Sequence, residues 1–240
     1  MYFPIKLSKI HSKLHSKGNE YETYFDDETI GAGASINKWV RQGCEVYCLF
    51  MTDGESSRIG FTDRDAQYRN KSLLRASSVL GFKLYGTNNF PDNKLDSVPL
   101  LEVIKTIEAA IKDINPSIVV THDITDLNID HKLVNNAVMV ATRPDPECSV
   151  KTVMSFEVLS ATGWDFSLSN QSNPNFFNVI TIEDWQKKEQ SLLCYSKEVR
   201  KAPHCRSIDV LKSLAVLRGS YVGRPLVEAF NILRNISDEI

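Results

Sequence analysis

Apolar positions along the chain follow two rhythms. Short unbroken runs occur at 45–52 (EVYCLFMT), 117–121 (SIVVT) and 152–158 (TVMSFEV), with a briefer one at 82–85. Their β-branched and aromatic content is that of strands, and the run Ile118-Val119-Val120 suits a strand covered on both faces. Elsewhere apolar residues recur every three or four positions, at 30–42, 66–80, 98–114, 131–141, 183–200, 208–218 and 226–236. That is the period of amphipathic helices. Gly43 and Gly81 stop the first two, and Pro116 closes the third, whose Leu101, Ile104, Ile107 and Ile111 share a face. Strands alternating with helices predict an α/β fold: Rossmann-like, a mainly parallel sheet flanked by helices, with an all-helical tail from about 183 packed on the same domain.

The start of the chain does not fit this scheme. A doubly wound sheet begins with a buried strand that feeds its first functional loop, whereas residues 16–23 (SKGNEYET) are polar and contain no aliphatic side chain. The expectation is an atypical N-terminal segment over 1–23, a candidate for disorder, and one domain over 24–240.

Composition narrows the function classes. With 240 residues, 42% of them hydrophobic and 24% charged, the chain can bury one sizeable core. A formal net charge of −2 gives no electrostatic reason to expect nucleic acid or an anionic membrane as partner. No apolar run approaches the roughly 20 residues of a membrane span, and no apolar stretch of signal-peptide type follows the charged start. A cytoplasmic protein is expected. Cys44, Cys48, Cys148, Cys194 and Cys205 are odd in number and scattered. They read as reduced, packed thiols rather than a disulfide framework.

Two polar clusters carry candidate chemistry. Asp26-Asp27-Glu28 precedes Gly31-Ala32-Gly33 and the first helix. An acidic start to a helix is ordinary, but three adjacent carboxylates repel one another. The functional reading is that one binds a divalent metal while its neighbour handles a proton. The second cluster, Thr121-His122-Asp123 followed by Asp126-Leu127-Asn128-Ile129-Asp130-His131, comes directly after a predicted strand. Asp130 can serve simply as a helix cap, whereas His131 in a first helical turn suits a zinc ligand whose other nitrogen is held by a carboxylate. Both clusters fall on the carboxyl edge of the sheet, where α/β folds bind ligands. Together they suggest a metal hydrolase.

These residues, with Thr52-Asp53-Gly54 between the two clusters, resemble the PIG-L/LmbE-like de-N-acetylases, which remove acetyl groups from N-acetylglucosaminyl conjugates. The resemblance continues through Arg143-Pro144, Phe156-Glu157, Tyr195, Glu198-Val199-Arg200, Pro203-His204, Arg206-Ser207, Arg218-Gly219 and Glu228-Ala229-Phe230. It implies a Rossmann-like fold holding one Zn2+ per chain, with Asp26 as general base and Asp27 and His131 as zinc ligands. Asn128 stands where many members carry a histidine that stabilises the tetrahedral intermediate. His122 is a second candidate for that task. Asp53, Arg58 and His204 are candidates for contacts to the substrate, an N-acetylated sugar or glycoconjugate, in a chain that acts alone or as a homo-oligomer.

The departure lies in the first motif, which in the family begins His-Pro. Here Tyr24 and Phe25 occupy those positions, and a phenol must lose a proton near pKa 10 to bind zinc as an imidazole does. Three accounts stand open. The site is degenerate, and the protein is an inactive relative that binds a glycan or a partner. Alternatively, Tyr24 or a nearby histidine completes the metal site. Otherwise the first segment is read out of frame and hides an intact motif.

Overall fold

A computed structural model of the chain describes residues 2–6, 26–52, 63–166 and 172–237. In chain order these contain β1 (Tyr2–Lys6), α1 (Asp27–Arg41), β2 (Glu45–Thr52), α2 (Asp63–Leu80), β3 (Lys83–Phe90), α3 (Leu100–Ile114), β4 (Ile118–His122), α4 (Ile129–Ala141), β5 (Thr152–Phe156), β6 (Phe176–Val179), α5 (Ile182–Cys194), α6 (Ile208–Ser220) and β7 (Val227–Asn235). The strands form one sheet in the order β3-β2-β1-β4-β5-β7-β6. β2–β3 and β4–β5 pair in parallel, and β1 is antiparallel to both β2 and β4. β2, β3, β4 and β5 therefore all point one way, so the mainly parallel Rossmann-like expectation holds for the strands that carry the site.

Alternation along each buried strand sends side chains into two helical layers. Val46, Cys48 and Phe50 of β2 pack with α1, α2, α5 and α6. Tyr47, Leu49 and Met51 of the same strand pack with α3 and α4 on the opposite face.

Both ends of the chain correct the sequence expectation. Residues 226–236 were expected as a helix, but 227–235 form β7, and Phe176–Val179 adds the edge strand β6. Apolar residues at 226, 227, 229, 230, 232 and 233 satisfy either period. The exposed edge of β5 decides, because an unpaired strand edge is costly and β7 pairs with it from Thr152↔Asn235 to Phe156↔Phe230. At the other end, no strand was expected before Asp26. Residues 2–6 nevertheless fill the slot between β2 and β4, with Tyr2 opposite both Leu49 and Thr121. Backbone groups on the facing edges of β2 and β4 would otherwise lack partners.

The helix that starts the site is clamped at mid-length. Lys188 of α5 donates to the Ile30 carbonyl (2.7 Å) and to Glu228 of β7 (2.6 Å), and Glu228 also accepts the Ala34 and Ser35 N–H groups. This charge pair is buried and every charged end has a partner, the condition under which such a pair is tolerated. Near the start of α1 the backbone runs against an aromatic ring. A β-carbon at Gly31 would stand 2.0 Å from Cδ2 of Phe156, and that ring is fully buried. Gly31→Ala should therefore destabilise the fold by about 1–3 kcal/mol through overpacking. Urea unfolding should show a lower midpoint at unchanged slope, and an unaltered midpoint would contradict the close approach.

Candidate active site

β4 ends on His122, and the loop behind it returns to α4 with few degrees of freedom left. Asp126 accepts the Asn128 N–H (2.9 Å) on one oxygen and meets Nδ1 of His131 (2.8 Å) with the other. Asn128 caps α4 by accepting the Asp130 N–H at 2.8 Å. Asp130, the residue weighed as that cap, instead accepts the N–H groups of Asn93 (2.7 Å) and Leu95 (3.0 Å) and so anchors the loop after β3. Asn135 donates to the His122 carbonyl, tying the end of β4 to α4.

Asp27 comes to this group from the first turn of α1, where unpaired N–H groups favour negative charge. Its Oδ2 lies 3.1 Å from Nε2 of His131 and 3.4 Å from Nε2 of His122. The two imidazoles are stacked, centroids 3.7 Å apart and planes 14° from parallel, and His122 also rests on Phe156 at 4.9 Å. One ligand atom from each of Asp27, His122 and His131 lies within 4.8 Å of the others.

This geometry fits a divalent cation. Asp126 takes the Nδ1 proton of His131, which leaves Nε2 facing a carboxylate. Two acceptors do not tolerate each other without a proton or a metal between them. Burial works against a charged His131, yet its hydrogen bonds to Asp126 and Asp27 raise its pKa to about 9. Burial and the neighbouring His131 push His122 well down. Burial also opposes a charge on Asp27, but hydrogen bonds from His122 and His131 hold it well below the usual carboxylate range. The other Asp27 oxygen, Oδ1, is buried with no hydrogen-bond partner among the described residues. One carboxylate oxygen beside two imidazole nitrogens is a donor set that suits zinc.

Asp26 precedes α1 and is 6% exposed. Burial raises its pKa to about 6, against the opposing charge of Arg206, whose Nη1 donates to Oδ2 at 2.8 Å. Asp26, Asp27, His122, Asn128 and His131 all line one cavity of about 510 Å³. Five of the nine residues singled out in the sequence are thus brought together. Tyr24, Asp53 and Arg58 lie outside the described residues. His204 does not line the cavity: its Nδ1 accepts the Arg206 N–H at 3.0 Å, and its ring meets the edge of Trp164. Arg206, two residues on, lines the cavity in its stead, together with Asp92, Asn93 and Ser160. In the sequence Arg206 stands out only as part of the resemblance, in Arg206-Ser207. An arginine in a loop of the tail gives no signal that it will meet a carboxylate 180 positions earlier.

The chain also matches known proteins. The profile of the GlcNAc-PI de-N-acetylases, PIG-L, matches residues 25–142. Escherichia coli K12 has a protein named uncharacterized deacetylase YaiS that is 32% identical over 128 residues, 51% of this chain and 65% of its own length. The 1D-myo-inositol 2-acetamido-2-deoxy-alpha-D-glucopyranoside deacetylase of Mycolicibacterium vanbaalenii is 28% identical over 123 residues, 41% of this chain and 43% of its own. The chain thus spans between 43% and 65% of the length of these relatives. The N,N'-diacetylchitobiose deacetylase of Pyrococcus horikoshii superposes with a TM-score of 0.67 at 21% identity, covering 87% of this chain and 80% of that one. At that identity the likeness carries the fold. Motifs, profile and fold agree in likening the chain to the PIG-L/LmbE-like de-N-acetylases.

Glu28, the third carboxylate, is fully buried and sits apart from the cavity lining. Its Oε1 accepts from Thr29 (2.8 Å) and Tyr195 (2.9 Å), while Oε2 has no hydrogen-bond partner among the described residues. Burial raises its pKa from 4.5 to about 8. Between those two values the folded chain keeps a proton that the unfolded chain has lost, so stability falls as pH rises through that window and levels off above it. Glu28→Gln keeps the acceptor and removes the titration. The metal-free variant should gain stability relative to the metal-free parent from pH 5 to pH 8, by at most about 1.4 kcal/mol per unit. Parallel stability–pH curves from chemical denaturation would rule this out.

Proposed function

We propose that the chain is a zinc-dependent hydrolase that removes the acetyl group from an N-acetylated amino sugar or its conjugate. The observation that carries this reading is the convergence of Asp27, His122 and His131 within 4.8 Å, with the carboxylate of Asp26 beside them in the same cavity. The match to the family profile and the sugar deacetylases among the relatives support it. Zinc would be held by Asp27, His131 and His122. The last of these takes the place expected of the first-motif histidine, where Tyr24 stands, rather than acting as an oxyanion donor.

When bound, zinc supplies Lewis-acid activation of water and of the amide carbonyl. The protein's own groups do the rest. Asp26, with burial raising its pKa to about 6, is ionised at neutral pH yet basic enough to accept a proton from the attacking water. It then returns a proton to the departing amine, so that water and amide become acetate and a free amino sugar. Asn128 uses Oδ1 on its helix cap and one N–H on Asn93 (3.2 Å). Its second N–H is left for the oxyanion, and a donor of that kind contributes a few kcal/mol. Asp92 and Asn93, on the cavity wall, offer hydrogen bonds to sugar hydroxyls.

Purified protein kept free of chelator near neutral pH should carry one zinc per chain by elemental analysis and release acetate from an N-acetylglucosamine conjugate. Asp26→Asn should retain the zinc and lose acetate release by roughly 10²- to 10⁴-fold, and EDTA should abolish turnover. Protein devoid of zinc, or turnover indifferent to Asp26→Asn, would refute the reading. Sugar binding unchanged by both treatments would instead support the non-catalytic relative.

A further inference from the structure

Asp26 is not held by its own helix. It stands at the cap position of α1, its side chain makes no capping bond, and only its backbone carbonyl serves the helix, accepting the Ile30 N–H. A free carboxylate next to a metal-holding carboxylate is drawn towards the same cation. It would then become a ligand and lose the lone pair a base needs.

What restrains it comes from the tail. Arg206 donates from Nη1 to Asp26 Oδ2 at 2.8 Å, and its Nη2 stands 3.9 Å from Asp27 Oδ1, so one guanidinium faces both carboxylates. The guanidinium is itself fixed from behind. Nε donates to Ser160 (3.1 Å), and Nη1 also reaches Glu198 Oε2 (3.4 Å). The other oxygen of Glu198 accepts from Arg69 of α2 at 2.5 Å, and Glu198 and Arg69 are both 8% exposed. The Arg206 backbone is pinned as well, its N–H on His204 and its carbonyl accepting from Arg200. Charges alternate from Arg69 through Glu198 and Arg206 to Asp26, and each has an opposite neighbour. Ser160, Glu198 and Arg206 all lie beyond the residues 25–142 that the family profile matches.

We propose that Arg206, set in place by Glu198 and Arg69, is a positioning residue that keeps the Asp26 carboxylate out of the metal's coordination and aimed at the attacking water. This rests on the function proposed above. It makes two readouts move apart. A residue that merely supports the metal ligands lowers metal affinity when removed, typically 10- to 100-fold. Removing Arg206 takes a positive charge away from the site and frees Asp26 to ligate, so affinity should rise while catalysis falls.

The 240-residue chain should be assayed for zinc affinity by competition with a chromogenic chelator and, loaded with zinc, for acetate release from an N-acetylglucosamine conjugate. Arg206→Ala is expected to bind zinc roughly three- to tenfold more tightly. Its kcat should drop roughly 10- to 100-fold, as for a misplaced catalytic group, with KM little changed. A few millimolar guanidinium should restore part of the kcat. Glu198→Gln should reproduce a smaller fall in kcat with zinc affinity kept, and it decides the matter if Arg206→Ala loses its cooperative melting transition. Weaker zinc binding in Arg206→Ala, or kcat unchanged in both variants, overturns the positioning role while leaving the hydrolase reading intact. A parent chain that binds no zinc overturns both, and that result is recognisable before any variant is compared.

Discussion

One carboxylate oxygen facing two imidazole nitrogens is the constraint around which this molecule is arranged. Asp27 Oδ2 lies 3.1 Å from His131 and 3.4 Å from His122, in a place largely withdrawn from water. Such a meeting costs energy unless a proton or a cation sits among the lone pairs. The protein meets that cost by rigidity. Asp126 fixes the ring of His131 from behind, Phe156 and Asn135 fix His122, and the Lys188–Glu228 clamp holds the helix that presents Asp27. Because Asp27 comes from the start of α1 and His122 from the end of β4, the group exists only if helix and strand meet at one edge of the sheet. The close seating of Gly31 on Phe156 serves that meeting directly.

Much of this was legible beforehand, for a physical reason. Elements buried on both faces or along one stripe announce themselves by period, and so the strands at 45–52, 117–121 and 152–158 and the helices between them were placed within a few residues. The two polar clusters were legible because adjacent carboxylates and a His-rich loop have little reason to exist in a core. The misses share a different cause. Residues 227–235 fit both periods, and only the open edge of β5 selects a strand. Tyr2–Lys6 enters the sheet because β2 and β4 leave a slot, which is a property of two other segments rather than of these five residues.

Arg206 belongs to the same class of invisible residue. Its meaning arises from a pairing 180 positions away, and the nearer histidine, His204, drew the sequence reading in its place. Here the loop's polar side chains divide the work. His204 secures the Arg206 backbone, and Arg206 carries the charge into the cavity. The half of the chain that matches the family profile supplies the converging donor atoms. The unmatched half supplies the charge that faces them, so neither half alone makes the site.

The substitution of Tyr24 for the first-motif histidine takes on a different weight in this light. Two imidazoles and a carboxylate already converge without it, and this is a donor set of zinc hydrolases. The stacked rings also explain how the set behaves when no cation is held. Two imidazolium ions 3.7 Å apart would repel strongly, so the pair carries one positive charge, and the Asp126 and Asp27 hydrogen bonds place it on His131 against the cost of burial. His122 is pushed the other way and stays neutral. A divalent ion therefore has to displace a single proton, which Asp126 can spare because its own bond is to Nδ1. The loss of one family ligand does not by itself argue for an inert fold.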